Sequence, residues 1–203
     1  MSTATLSPSA TRIAREAVRL FADQGYDRTS IADIQAAAGL APGSGALYKH
    51  FRSKRELLEA GLADAFAARD QAMAEFMAAI PEDPREALMA AGQGVLEYMT
   101  AERDTVRITC RDLEQFPDLL ARVREERIQA LYRVAALWLA GQTAAGHYRA
   151  HDTEAVAAVV WGALTYYRIC EALIGEPPGR VDETRFLDAL VDLLTTALAT
   201  KQD

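Results

Sequence analysis

The chain lacks most of what would mark other kinds of protein. Two cysteines, Cys110 and Cys170, occur in 203 residues. That is too few for a disulfide framework, and each sits in an apolar helical stretch, the setting of a small buried hydrophobe. No basic segment followed by an apolar run opens the sequence, so no secretory leader is expected. No stretch of membrane-spanning length escapes a charge or polar break, and a soluble, cytoplasmic protein is expected. Seven prolines and twelve glycines leave long uninterrupted segments, and no sustained apolar–polar alternation argues for strands. A Gly-rich phosphate loop, a nucleophile elbow, metal-ligand spacing and a catalytic carboxylate pair are all missing, which argues against an enzyme. His147 and His151 lie four apart across an expected linker, with no acid or cysteine cluster joining them. They do not read as a metal pair, and no cofactor is expected.

What remains is apolar and helical. Half the residues are hydrophobic, and the abundance of Ala and Leu points to an all-α chain of about nine helices. Ile13, Ala17, Leu20 and Phe21 share one face of a helix over 9–24, which Gly25 ends. Ser53 and Glu56 form a capping box that starts a long helix reaching Ile80. Asp83-Pro84-Arg85-Glu86 starts the next, running to Ala101. Asp104 opens a helix through Phe116, and Pro117 one that runs to Gly141. The charged run 122–127 reads as a solvated helix face. Asp152 and Asp182 cap the last two helices, 153–174 and 183–198. The first of these carries two apolar stripes: Val156, Val160, Ala163, Tyr167 and Cys170, and Val159, Gly162, Tyr166, Ile169 and Leu173. A helix apolar on two sides needs two partners.

Charge is distributed unevenly. The net charge is −7, yet residues 1–55 hold eight basic and four acidic side chains, net +4, and the remainder fourteen and twenty-five, net −11. A basic head on an acidic body suits a protein that meets nucleic acid with its head only.

Within that head lies the stretch 29–51, TSIADIQAAAGLAPGSGALYKHF. Ser30 and Asp33 make a capping start, with Thr29 as the alternative cap, and Ile31 and Ile34 share a face. Gly39 closes this short helix. A second short helix is expected from Ser44 or Gly45. In it Leu47 and Phe51 point inward, Lys49 points directly away, Ala46 permits close approach, and Tyr48 and His50 flank the exposed arc. This is a helix-turn-helix whose second member suits a DNA groove: Tyr48, Lys49 and His50 donate to phosphates or base edges. A plain helical hairpin in a bundle is the alternative. Residues 1–8 form either a loose tail or an arm for the minor groove.

Residues 11–58 resemble the N-terminal domain of TetR-type transcriptional regulators. The likeness rests on Ala17, Leu20-Phe21, Gly25-Tyr26, Thr29-Ser30-Ile31, Ile34, Ala38-Gly39, Leu47-Tyr48, His50-Phe51, Ser53-Lys54 and Leu57. Seven residues, Leu40 to Ala46, separate Ala-Gly from Leu-Tyr where about five are usual, so the turn is lengthened by two.

The resemblance implies a helix-turn-helix domain over 1–55 and a ligand-binding and dimerisation domain over 56–203. It implies a repressor that releases a pseudo-palindromic operator when a small apolar or aromatic effector binds the larger domain. A small-molecule-binding or scaffolding helical protein with weak or no DNA binding, and an activator of the same fold, are the alternatives. The expected DNA contacts are Arg28, Thr29, Ser30, Ser44, Gly45, Ala46, Tyr48, Lys49, His50 and Lys54. Candidate effector residues are Met73, Phe76, Met77, Met99, Arg107, Cys110, Arg111, Phe116, Trp138, Trp161, Thr165, Tyr166 and Arg168. The homodimer is expected through the last two helices, with Val156, Val160, Tyr167, Leu187, Leu190, Val191 and Leu194 at the interface. Ordinary packing within one chain is the other reading of those stripes.

Overall fold

The computed structural model describes residues 6–41 and 45–200, with side chains throughout except at 68–74. Among the described residues there are nine α-helices and no strand. They are α1 (Pro8–Gln24), α2 (Ile31–Ala37), α3 (Lys54–Ala78), α4 (Pro84–Ala101), α5 (Arg103–Arg111), α6 (Pro117–Val123), α7 (Gln129–Ala144), α8 (Thr153–Leu173) and α9 (Glu183–Leu198). The expected second helix of the helix-turn-helix is instead a 3₁₀ turn, Leu47–Lys49. The helix expected over 117–141 is divided into α6 and α7 by a π-helical turn, Arg124–Ile128.

Local chemistry sets most of the helix starts. Ser7 caps α1 through the Ala10 N–H at 3.3 Å, with Pro8 in the first turn. Ser30 and Asp33 form a reciprocal capping box at α2. At α3 the Glu56 N–H donates to Ser53 Oγ, while the Glu56 carboxylate accepts from the Arg52 N–H rather than that of Ser53. Asp83 Oδ1 accepts from the amides of Arg85 and Glu86, Asp152 from Ala155, and Asp182 from Arg185. Each such cap is worth about 1 kcal/mol.

The chain divides into two compact units. The first comprises Met1–Met73 and Glu102–Leu120, so α5 belongs with the N-terminal helices and the boundary expected at residue 55 is not where the packing divides. Its core joins Ile13 and Phe21 of α1, Ile34 of α2, Leu47, Phe51, and Leu57, Leu58 and Leu62 of α3, all buried. Each such side chain contributes roughly 1.5–3 kcal/mol on leaving water. Helices α1 and α3 touch closely at Gly61. A Cβ there would lie 2.9 Å from Ala14 O and 2.4 Å from Val18 Cγ2.

The second unit comprises Ala74–Ala101 and Ala121–Asp203. Its core has two clusters. Leu88, Leu139, Tyr148, Ala157, Val191 and Leu198 form one, and Leu96, Leu164, Tyr167 and Leu187 the other. By length and mean hydropathy alone, α8 is apolar enough to cross a membrane, although Glu154, Arg168 and Glu171 interrupt it with charge. Its apolarity has a packing reason, since it lies between α4 and α7 and shares both core clusters with α9.

Candidate nucleic-acid interface

The expected reading element is held by two anchors. Leu47 and Phe51 are buried at 0% and 2% exposure, as their spacing required. Between them Tyr48 is 57% exposed, and Lys49 and His50 also face solvent. The turn closes with the amides of His50 and Phe51 donating to Leu47 O at 2.9 and 3.0 Å. It does not extend into an α-helix toward its N-terminus. Gly45 has φ +65°, a left-handed conformation that no right-handed helix contains and that glycine adopts without a Cβ penalty. Ala46 is half-buried beside it. Ser44 lies outside the described residues.

Two of the expected DNA contacts are occupied elsewhere. The Thr29 side chain is buried, and its hydroxyl lies 2.8 Å from Gly25 O and 3.3 Å from Leu20 O, to which it donates. Lys54 donates to Tyr26 O at 2.8 Å and Thr29 O at 3.1 Å, and its ammonium sits 4.2 Å from the Tyr26 ring centroid. Both residues therefore shape the turn between α1 and α2 from inside. Burial raises the Tyr26 phenol above its ordinary range, with the Asp27 carboxylate acting in the same direction. Arg28 and Ser30 are exposed. Arg28 Nε donates to Gln24 O, and Ser30 donates to the Asp33 carboxylate at 2.7 Å, which lowers the Asp33 pKa. Arg52, not among the expected contacts, is exposed just before the α3 cap.

The expected effector residues do not form one set. Met73 lies outside the described side chains. Arg107, Cys110, Arg111 and Phe116 belong to the first unit, the rest to the second. Cys110 is exposed rather than buried, whereas Cys170 is buried as expected. Arg111 is committed to structure. It donates to Phe21 O and Ala22 O at the end of α1 and pairs with Asp112 at 2.8 Å. Phe116 packs edge-on against Tyr26, ring centroids 4.9 Å apart, under the Arg55 guanidinium that pairs with Asp118. Arg168 is likewise spent, donating to Leu96 O at 3.0 Å and pairing with Glu171 and Glu183 at 2.6 Å each. Tyr166 is 62% exposed on the outside of α8. Phe76 lies over Gly94, Met99 is buried, Met77 is half-buried, Trp138 neighbours Tyr148, and Trp161 neighbours Tyr132. Thr165 is half-buried.

The seven residues expected at a dimer interface lie in the chain's own core. Tyr167, Leu187 and Val191 are buried, and Val156, Val160, Leu190 and Leu194 pack partly buried against the same clusters. The apolar residues left outside on these helices are Val159 (69% exposed), Tyr166, Leu173 (46%) and Leu193 (71%). Periodicity had identified both stripes of α8, and within the single chain the one expected at the interface packs inward.

An exposed basic and aromatic turn on a small helical head, joined to an all-helical body, defines a helix-turn-helix regulator. Residues 13–60 match the model of bacterial regulatory proteins of the tetR family, and residues 86–199 that of the AefR-like transcriptional repressor C-terminal domain. The chain belongs to the TetR family of DNA-binding transcriptional regulators, which are not enzymes. Solved structures share the fold. The fatty acid degradation regulator FadR from Bacillus halodurans superposes with TM-score 0.70 at 19% identity, covering 94% of this chain and 96% of that one. A TetR-like regulator from Rhodococcus sp. RHA1 gives 0.69 at 24%, covering 95% and 97%. AibR in complex with isovaleryl coenzyme A and operator DNA gives 0.68 at 20%, covering 91% and 97%. No curated protein matches the chain.

Proposed function

We propose that the chain is a homodimeric repressor that releases a pseudo-palindromic operator when a small apolar or aromatic effector binds the second unit. The observation that carries the DNA side is the exposed Tyr48-Lys49-His50 edge fixed by buried Leu47 and Phe51. Lys49, opposite the anchors, reads a base edge, while Tyr48, His50, Arg28, Ser30 and Arg52 hold phosphates. Thr29 and Lys54 act from within by fixing the α1–α2 turn. Dimerisation uses the outer stripe of α8 with Leu193 of α9. Two heads then sit about one DNA turn or more apart, which requires a two-fold operator. Binding of operator DNA places the protein in the cytoplasm.

Two of the similar structures concern acyl chemistry, one a fatty acid degradation regulator and one a complex with isovaleryl coenzyme A. An acyl compound is therefore the favoured effector class. The effector must bind better to the conformer that fits the operator poorly, since only differential affinity shifts the population. Selection of bound sequences from random DNA with the purified protein tests the reading. Enrichment of a two-fold motif supports it. A protein that enriches no motif, or whose binding is uniform and vanishes with salt, is the scaffold of the alternative reading.

A further inference from the structure

Among the described threonines inside helices of the second unit, three turn their hydroxyls the same way. Thr100, Thr143 and Thr195 turn their hydroxyls onto the carbonyl one turn earlier, Leu96 O at 2.9 Å, Leu139 O at 2.9 Å and Val191 O at 2.7 Å. This back-bonding is the ordinary refuge of a helical hydroxyl. Thr165 of α8 does not use it, and its Oγ1 is buried with no hydrogen-bond partner. A buried hydroxyl left this way costs free energy, so such groups in native structures call for an explanation.

Its surroundings suit a ligand. One turn before it is Trp161, 8% exposed, with Tyr132 of α7 at 6.0 Å between ring centroids. Helices α7 and α8 are packed partners joined by a short connection and run antiparallel. One turn back from Tyr132 therefore lies across from one turn on from Trp161. That position is the end of the π-helical turn Arg124–Ile128, the kind of helix irregularity that gathers at functional sites. Arg127 sits in it with its Nε buried. By this count Thr165, the two aromatic rings and Arg127 fall along one stretch of the α7–α8 pair.

We propose that Thr165 Oγ is the polar anchor of the effector site, donating to a carboxylate oxygen of an effector whose apolar body lies against Trp161 and Tyr132, with Arg127 supplying the opposite charge. The proposal rests on the effector-responsive reading above and narrows it to an anionic amphiphile.

Decanoate and 1-decanol are the probes, titrated calorimetrically into the full chain. Decanoate binds wild type saturably and at least tenfold more tightly than 1-decanol. Thr165→Val weakens decanoate about tenfold, Thr165→Ser stays within twofold of wild type, and Arg127→Met removes the preference for decanoate. The unliganded Thr165→Val protein also melts at the wild-type temperature or above it, because the substitution keeps the shape and removes an unpaired hydroxyl. A hydroxyl serving only the fold would give the opposite shift. Absence of saturable decanoate binding, Thr165→Val binding within twofold of wild type, or a lowered melting point in Thr165→Val overturns the proposal. Operator binding without probe, measured on wild type and Thr165→Val, separates the two readings. Equal, tight binding leaves the regulator reading standing whatever the titration gives, and no binding by either refutes that reading alone.

Discussion

Arg111→Ala should loosen the first unit by about 3 kcal/mol, and the structure says why. The guanidinium donates to two carbonyls at the end of α1, those of Phe21 and Ala22, and to the Asp112 carboxylate at 2.8 Å. Hydrogen bonds from a charged donor are worth about 1.5–3 kcal/mol each, so the two carbonyl bonds set an upper range of about 3–6. The Arg111 side chain is 33% exposed, and water replaces part of what is lost. The Asp112 side chain is only 10% exposed, so its carboxylate is left largely dry without its cation. About 3 kcal/mol is the balance, or roughly 6–12 °C in Tm for a chain of this size. Arg111→Lys keeps the charge but not the fork, and should lose about 2 kcal/mol. Urea unfolding followed by circular dichroism measures these values. A double-mutant cycle of Arg111→Ala with Asp112→Ala should show coupling of about 1–2 kcal/mol. A loss below about 1 kcal/mol, or strictly additive single mutants, would refute the clamp.

Three further outcomes follow from other parts of the molecule. Lys49→Ala should weaken binding to the preferred operator by about 1–3 kcal/mol and relax selectivity at one position per half-site. Filter binding across operator variants checks it, and an equal loss on all sequences with a shallower salt slope would make Lys49 a phosphate contact instead. Val159→Asp combined with Leu193→Asp should leave helicity intact and yield a monomer in sedimentation, since both side chains already face solvent in the single chain; a dimer that survives both substitutions would place the interface elsewhere. Burial holds the Tyr148 phenol at about 12 against an ordinary 10.0, and its hydroxyl donates to Pro84 O at 3.1 Å. A raised folded pKa means that this stabilisation is fully present below about pH 10 and is lost as pH rises through about 12. Tyr148→Phe should therefore cost about 1 kcal/mol at neutral pH, and the difference from wild type should close across that alkaline window in pH-dependent denaturation. A gap that stays constant would separate the hydrogen bond from the titration.

Much of the fold was legible because helix ends are local. Ser30 with Asp33, Asp83 before Pro84, Asp152 and Asp182 all cap the helices their positions announced. The inward pair Leu47 and Phe51 was readable for the same reason, since four-residue spacing survives even where the α-helix does not form. What escaped was non-local or conformational. Gly45 takes a left-handed conformation, and one 3₁₀ turn stands where a helix was expected. Arg111 meets carbonyls 89 and 90 residues away, a link that no window of sequence contains. Thr29 and Lys54 were expected to touch DNA because they stand at helix starts, and Lys54 also from the resemblance, yet the carbonyls of Gly25 and Tyr26 reach them first. On α8, periodicity identified two apolar stripes but carried no information about which one the chain's own α4, α7 and α9 would cover.

The stripe left uncovered has a geometric consequence. Val159, Tyr166 and Leu173 recur every seven residues, and a seven-residue repeat falls short of two full α-helical turns by about 20°. A helix that mates along such a line must coil around its partner in the left-handed sense and cross it at a shallow angle near +20°. Gly162 lies on the same side of α8, with open space where a Cβ would stand. The spacing of three side chains therefore sets the handedness with which a second helix is received.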